Sequence, residues 1–125
     1  MTTREIVEKY HEYVNAGNWE GWLSLFDENA IMDETVHGRM EGIERLREAA
    51  HGLETGYSKF QNIPVKIIVE GNRAVVVWHI EAVTQDGGAV DAKGANYLKI
   101  ENGKIKYMAN YLDPAQFDAY YKPKK

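Results

Sequence analysis

The chain has 125 residues, of which 44% are hydrophobic and 27% are charged, and a formal net charge of -4. This is the composition of a globular protein, and we expect one domain over residues 1–125. The chain has no cysteine, which excludes disulfides and thiol chemistry, and its acidic balance argues against a nucleic-acid partner. No stretch approaches the roughly 20 apolar residues that span a membrane, and no apolar signal core follows Met1. We therefore expect a cytoplasmic protein without a membrane partner.

The N-terminal part of the chain predicts two helices. Thr2 and Glu5 have the spacing of a capping box, apolar residues then recur at helical spacing, and Gly17 ends the segment. Asn18 is a suitable cap for a second, shorter helix whose bulky apolar side lies within residues 19–26.

The next segment predicts a strand over residues 30–36 and a third helix that begins at Glu41 or Gly42 and ends between Gly52 and Gly56. Beyond Gly56 the apolar period changes to two, which is typical of strands. Four strand-like runs follow, over residues 57–70, 74–84, 89–101 and 104–112.

Turn signals indicate how these strands connect. Asn102-Gly103 is typical of a type I′ hairpin turn, and short connections make neighbouring strands antiparallel. Asp113 before Pro114 predicts the start of a short terminal helix, and the three lysines of residues 122–125 form a solvated basic tail. The element order predicts an α+β domain with three N-terminal helices packed on a curved antiparallel sheet.

Two adjacent carboxylates in the first strand are candidates for a general base. Strand alternation places Glu34 on one face with Ala30, Met32 and Val36, and Asp33 on the other face. A carboxylate among apolar residues must be paired, protonated or exposed to a pocket, because burying a bare charge is costly. We favour Glu34, and Asp33 is the alternative if the strand register shifts by one residue.

Polar residues on other elements are candidates for hydrogen bonding or proton transfer. Tyr10 lies on the apolar face of the first helix, and Asn96 is the lone amide in an apolar row of its strand. His79 with Glu81 is either an acid/base pair inside the protein or a cross-strand ion pair on its exposed side.

The remaining histidines and the aromatic residues carry less specific signals. His11, His37 and His51 lie near element ends or on a polar helix face, and no spacing indicates a metal site, so neither metal nor cofactor is expected. The larger aromatic residues are candidates for core positions or an apolar pocket wall. They are Trp19, Trp22, Phe60, Trp78 and Tyr97.

The element order and four local signatures resemble the NTF2-like superfamily, which includes ketosteroid isomerases, SnoaL-type polyketide cyclases and scytalone dehydratase. The resemblance covers nearly the whole chain and implies a cone-shaped α+β fold. The signatures are Asn15-Ala16-Gly17-Asn18, Leu25-Phe26-Asp27-Glu28-Asn29-Ala30, Gly42-Ile43-Glu44 and Glu101-Asn102-Gly103-Lys104-Ile105.

The resemblance to ketosteroid isomerases also implies a site. Their catalytic Tyr precedes the Gly of an Asn-Ala-Gly turn by seven positions, where this chain has Tyr10 before Gly17. Their Asp base follows that Gly by seventeen positions, where this chain has Glu34. Their second oxyanion donor is a protonated Asp before the last hairpin, where Asn96 stands. This chain therefore carries a longer base and an amide donor.

We predict a cofactor-independent enzyme that removes a proton next to a carbonyl group of an apolar or cyclic substrate. Glu34 or Asp33 would act as the base, while Tyr10 and Asn96 would bond the developing enolate oxygen and His79 would relay a proton. The reaction would be an isomerisation, a cyclisation or a dehydration. The predicted substrate-binding residues are Tyr13, Trp22, Met32, Trp78 and Asp113.

Two other functions fit the same pattern. One is a non-catalytic dimeric module that holds a hydrophobic small molecule in the same apolar pocket. The other is epoxide opening, in which the carboxylate activates water. The resemblance implies a homodimer, for which Tyr107, Tyr111 and residues 75–77 would supply the surface.

Overall fold

The computed structural model describes residues 1–121 and consists of helices packed on one six-stranded sheet. No helix within these residues is long and apolar enough to cross a membrane. The helices are α1 (Thr3–Asn15), α2 (Trp19–Ser24), α3 (Ile43–Gly56) and α4 (Asp118–Tyr121), with a 3-10 turn at Pro114–Phe117 before α4. The strands are β1 (Phe26–Glu34), β2 (Gly38–Glu41), β3 (Tyr57–Glu70), β4 (Arg73–Thr84), β5 (Ala89–Glu101) and β6 (Lys104–Leu112).

The predicted helix caps are confirmed. The Thr2 hydroxyl accepts the Glu5 backbone N–H at 3.1 Å, and the Glu5 carboxylate accepts the Thr2 N–H at 2.8 Å. Asn18 accepts the Gly21 N–H at 2.9 Å at the start of α2. Each cap satisfies backbone donors that have no partner within the helix.

The sheet differs from the predicted one in three respects. Its strand order is β2-β1-β6-β5-β4-β3, and β1 pairs in parallel with β6, so the sheet is mixed rather than wholly antiparallel. The four-residue strand β2 was not predicted, and β1 begins at Phe26 instead of Ala30. The β5–β6 hairpin turns through Asn102 and Gly103 with φ of 52° and 74°, as a type I′ turn requires.

The C-terminal segment follows the prediction in part. Asp113 caps the turn by accepting the Ala115 N–H at 3.0 Å, but the segment begins as a 3-10 turn before the short helix α4. The predicted basic tail lies outside the described residues.

Apolar side chains from the helices and from one face of the sheet form the core. Ile6 of α1, Leu46 of α3, Leu98 of β5 and Ile105 of β6 are fully buried. Burial of each such side chain contributes about 1.5–3 kcal/mol. A second buried cluster surrounds Trp78 and lies against the C-terminal segment. The cavity described next is lined by residues of both clusters.

Candidate functional site

A cavity of about 260 Å³ lies between the helices, the inner face of the sheet and the C-terminal segment. Its wall is mainly apolar and aromatic, and most of its polar side chains come from the sheet and from α3, which contributes Arg45 and Glu48. The apolar part includes Val14, Trp19, Trp22, Met32, Phe60 and Trp78. A cavity of this kind, with few polar groups, is typical of sites for small organic ligands.

The alternation of β1 places Glu34 in the cavity wall and Asp33 outside it. Glu34 lines the cavity together with Met32 and Val36, which is the face predicted from the sequence. Asp33 lies on the opposite face, where Arg39 donates to both carboxylate oxygens at 2.8 and 2.9 Å. The Tyr107 hydroxyl donates to the same carboxylate at 2.5 Å.

These partners determine the ionisation of Asp33. Hydrogen bonds from Arg39 and, to a lesser extent, from Tyr107 lower the pKa of Asp33 from 3.8 to about 2. The hydrogen bond to Asp33 raises the pKa of Tyr107 to about 12. Asp33 is therefore charged at neutral pH and belongs to a cluster on the outer face of the sheet. Its position leaves Glu34 as the β1 carboxylate that can meet a ligand in the cavity.

Glu34 is held by His37, which the sequence marked only as a weaker candidate. One Glu34 oxygen, Oε2, accepts the His37 backbone N–H at 2.5 Å and contacts its ring Nδ1 at 2.6 Å. Because a carboxylate accepts, Nδ1 carries the ring proton in this pair. No donor within residues 1–121 reaches the other oxygen, Oε1.

Asn96 also lies in the cavity wall, as its strand alternation predicted, and its amide has a defined orientation. Its Oδ1 accepts the Trp78 indole N–H at 3.0 Å, and both side chains are buried. Because an indole N–H can only donate, the Asn96 oxygen must face it, which directs the Nδ2 group elsewhere. Gly94 provides the room for Trp78, since a Cβ there would lie 2.4 Å from the indole ring.

Asn110 of β6 is a cavity residue that sequence reasoning missed. It stands directly opposite Asn96 in the β5–β6 pairing and lines the same cavity. Its Oδ1 accepts the Thr35 N–H at 3.0 Å and lies 3.3 Å from the Thr35 hydroxyl. The sequence could have indicated this position, because Asn110 lies two residues from both Met108 and Leu112 and so shares their face of the strand. Both of these apolar residues also line the cavity.

Tyr10 contributes a neutral phenol to the cavity wall. It packs edge-on against Trp22, with ring centroids 5.8 Å apart. Burial raises the pKa of Tyr10 to about 12, and the neighbouring indole of Trp22 opposes part of this effect. The hydroxyl therefore keeps its proton at physiological pH and is available as a donor.

Two further polar atoms of the cavity residues have no partner among the described residues. They are the Trp22 indole N–H and the Asn62 Oδ1, both buried. Each belongs to a side chain that lies beside a titratable group: against the larger effect of burial, Trp22 lowers the pKa of Tyr10, and the Asn62 side chain raises that of His11. Nearby, His11 Nδ1 donates to the Asn62 carbonyl at 3.1 Å, and burial lowers the pKa of His11 and so favours the neutral ring.

Four of the predicted site residues do not line the cavity. His79 faces outward because Trp78 and Ile80 occupy the inner face of β4, and it pairs closely with Asp91 across the sheet. Tyr13 packs on the core beside α2. Asp113 is an exposed cap, and Asp33 belongs to the outer cluster.

The other predicted residues do meet in one place. Glu34, Tyr10, Asn96, Trp22, Met32 and Trp78 all line the cavity. Of the aromatic wall candidates, Tyr97 lies outside it, beside Tyr107 with ring centroids 6.2 Å apart. Within residues 1–121, no three potential metal-ligating side chains come together.

The C-terminal segment forms one side of the cavity through Phe117, Tyr120 and Tyr121. Tyr120 stacks on Tyr57 with centroids 4.7 Å apart and donates to the Gly52 carbonyl at 3.2 Å. Tyr121 lies against His37, with ring centroids 5.7 Å apart. Burial and the charge of Glu34 raise the pKa of Tyr121 to about 12.

Comparison with known proteins identifies the family. The model of the SnoaL-like domain matches residues 7–108. This chain belongs to the SnoaL-like family. No sequence among the curated proteins matches this SnoaL-like chain.

Solved structures show the same NTF2-like fold as this SnoaL-like domain. An NTF2-like protein of unknown function from Burkholderia pseudomallei has a TM-score of 0.87 at 16% identity, covering 96% of this chain and 97% of its own. A proposed polyketide cyclase from Pseudomonas putida has a TM-score of 0.84 at 21% identity, covering 96% and 98%. TerC, crystallised with polyporic acid, has a TM-score of 0.83 at 18% identity, covering 94% and 96%.

The outer cluster of this SnoaL-like domain predicts a pH-dependent stability difference for Asp33→Asn. The folded-state pKa of about 2 lies below the ordinary 3.8, so the wild-type advantage is complete above the ordinary value and disappears as pH falls through about 2. We expect the denaturation midpoints of the two proteins to differ at neutral pH and to converge between about pH 4 and pH 2.

Chemical unfolding of both proteins across this pH range measures the difference. Arg39→Gln is the matched variant, because it removes the main cause of the lowered pKa of Asp33. Its stability should therefore also depend less on pH between about pH 4 and pH 2 than that of the wild-type protein. A wild-type advantage that persists undiminished at pH 2 would contradict the assignment.

Proposed function

We propose that this protein catalyses proton transfer next to the carbonyl group of a small apolar ring compound. The observation that carries the proposal is the position of Glu34. Its side chain is 13% exposed and stands in the wall of a mainly apolar cavity, with one oxygen held by His37. A carboxylate in such a place is suited to act as a general base rather than as a surface charge.

The proposed step moves one proton and one electron pair. Glu34 Oε1 takes a proton from the carbon next to the carbonyl, and the C–H electron pair becomes the enolate π bond as the carbonyl oxygen gains charge. Tyr10 and Asn96 line the same cavity and are the predicted donors to that oxygen. Return of the proton to a different atom gives an isomer. Attack of the enolate carbon on a second carbonyl instead closes a ring, and the alkoxide that forms takes the proton back from Glu34.

The size of the cavity restricts the substrate. Its volume of about 260 Å³ lies just below the range of about 300–1,000 Å³ that is usual for drug-sized ligands. We therefore propose a substrate of one or two rings.

The relatives support the reaction class only at the level of the fold. Proposed polyketide cyclases from Pseudomonas putida and Xanthomonas campestris share the fold at 21% and 18% identity. Cyclisation is consistent with a base beside an enolate-binding site. TerC, which shares the fold at 18% identity, was co-crystallised with polyporic acid.

A second candidate function is non-catalytic binding of a hydrophobic small molecule. It is favoured by the aromatic wall and by the packing of Tyr120 and Tyr121 on the side of the cavity. Such a module needs the cavity but does not need the Glu34 carboxylate. The effect of neutralising Glu34 on turnover therefore separates the two functions.

We also propose that a second copy of the chain covers the outer face of the sheet. Val75, Val77, Tyr111, Val65 and Ile68 are all at least 36% exposed there or along its β3 edge. The register pairs Val77 with Ala95 and Ala95 with Tyr111, which makes the centre of this face apolar. Exposed apolar patches of this kind usually mark an interaction surface.

Replacing Glu34 with Gln tests the proposed function with a probe substrate, 5-nitrobenzisoxazole, whose isoxazole ring opens when a base removes the C–H proton of that ring. We expect the wild-type protein to accelerate the opening. Glu34→Gln should reduce the rate by about 10²–10⁴-fold, because the amide keeps the shape but cannot accept the proton. The absorbance of the phenolate product measures the rate.

The matched control is Glu28→Gln, which makes the same chemical change at an exposed residue of the same strand. It should retain most of the activity. Equal rates for wild type and Glu34→Gln, in proteins with the same circular dichroism spectrum, would exclude Glu34 as the base and favour the binding function.

Replacing Val77 with Lys tests the proposed dimer. A charge at the centre of the apolar face should convert a dimeric wild-type protein to monomers, because a buried lysine without a partner is costly. Light scattering after gel filtration measures the mass, and Glu54→Lys on α3 is the exposed control. A wild-type protein that is monomeric at all accessible concentrations would refute the proposal.

A further inference from the structure

We propose that Asn96 and Asn110 together form an oxyanion site, which binds the phenolate or enolate form of a small ring ligand through two amide N–H groups. This inference rests on the proposed function for the place of the ligand, but not on turnover. It adds Asn110 to the site and assigns Trp78 and Thr35 as positioning residues.

The first support is the pairing of the two amides. Asn96 of β5 and Asn110 of β6 are direct cross-strand partners on the face that lines the cavity. The Cβ atoms of such partners are about 4.5–5.5 Å apart, so two side-chain amides can reach one ligand atom. Asn96 is 5% exposed, so its amide is almost wholly removed from solvent.

The second support is that both amides are held by their oxygens. The Trp78 indole N–H donates a hydrogen bond to Asn96 Oδ1 at 3.0 Å. The Thr35 backbone N–H, also at 3.0 Å, occupies the Asn110 Oδ1. Turning either amide over would place its NH₂ group against a donor, so each Nδ2 group is the atom left for a ligand.

The third support is that neither Nδ2 group has an acceptor among residues 1–121. Neither Nδ2 atom is among the fully buried atoms that lack a partner, so both stay open to a ligand in the cavity. Two such donors on neighbouring strands match a single oxygen with more than one lone pair. An oxygen that carries negative charge matches best, because hydrogen bonds to charged acceptors are stronger than those to neutral ones.

The fourth support is the order of polar groups across the sheet. In the β1–β6 pairing Asp33 stands opposite Ala109, so Glu34 is the neighbour of Asn110 one strand away. Glu34, Asn110 and Asn96 thus lie on three adjacent strands, which are spaced about 4.8 Å apart. A ligand whose carbonyl oxygen lies between the amides can therefore bring its α carbon, two bonds from that oxygen, to the Glu34 carboxylate, as enolate formation requires.

The test uses 4-nitrophenol, whose phenolate and phenol forms differ in absorbance. It is made in the Glu34→Gln protein so that the Glu34 charge does not oppose that of the ligand, while Arg45 and Glu48 of the cavity wall stay the same in every comparison. We expect the pKa of the bound probe to fall by about one to two units below that of the free probe, since two donors stabilise the phenolate. An apolar cavity alone would raise it.

Asn110→Ala is the main variant because Asn110 is only partly buried, and it should weaken phenolate binding about tenfold. Binding of nitrobenzene, which fills the cavity without an ionisable oxygen, should change by less than about twofold, which a general structural defect would not allow. Trp78→Phe, which frees the Asn96 amide to turn, should also reduce the preference for phenolate. Asn29→Ala, an exposed site on β1, is the control.

A direct measurement covers the case in which a variant does not fold. In folded Glu34→Gln protein labelled with ¹⁵N-asparagine, 4-nitrophenolate should shift two side-chain NH₂ signals, and nitrobenzene should not. The proposal is overturned by an unchanged or raised pKa of the bound probe, by a failure of the probe to bind, or by an Asn110→Ala variant with wild-type phenolate affinity. If the amides do not bind 4-nitrophenolate but the wild-type protein still opens 5-nitrobenzisoxazole, only the amide pair is refuted. If the amides bind the phenolate but Glu34→Gln leaves the ring-opening rate unchanged, only Glu34 as the base is refuted.

Discussion

The ion pair between Asp33 and Arg39 determines which face of β1 meets the cavity. Arg39 stands opposite Asp33 in the β1–β2 hairpin and donates to both of its oxygens, while Tyr107 of β6 donates to the same group. A shift of one residue would turn every side chain of the strand to the other face. It would place this charged carboxylate among apolar side chains and expel Glu34, so these outer contacts oppose the shift and keep Glu34 in the cavity wall.

Once β1 is fixed, the chemistry of the cavity follows from three neighbouring strands. Glu34 from β1, Asn110 from β6 and Asn96 from β5 form a polar row in a mainly apolar wall. Each member is held by a residue of a different kind: His37 holds the carboxylate, Thr35 holds one amide and Trp78 holds the other. Groups that are oriented before the ligand arrives need little rearrangement during a reaction, which is the basis of electrostatic stabilisation of a transition state.

Short sequence motifs predicted most of the helices and turns. The pairing of distant strands, which brings the cavity residues together, cannot be deduced from such motifs. Thr2 with Glu5 and Asn102 with Gly103 act within a few residues, so the sequence shows them directly. The unpredicted strand β2 is only four residues long, and the parallel pairing of β1 with β6 joins distant segments.

Asn110 was missed for a related reason. An uninterrupted hairpin from Asn102-Gly103 would pair Asn96 with Ala109, but the register shifts between Lys99 and Ile100 and brings Asn110 opposite Asn96 instead.

The most direct test of Glu34 as the base is the exchange of the carbonyl-adjacent protons of 2-tetralone, a two-ring ketone, in deuterated water, followed by NMR. If Glu34 is the base, the rate of exchange saturates with ketone concentration in the wild-type protein. In Glu34→Gln the rate falls to that of buffer alone. Equal exchange in the two folded proteins would contradict the assignment of Glu34 as the base.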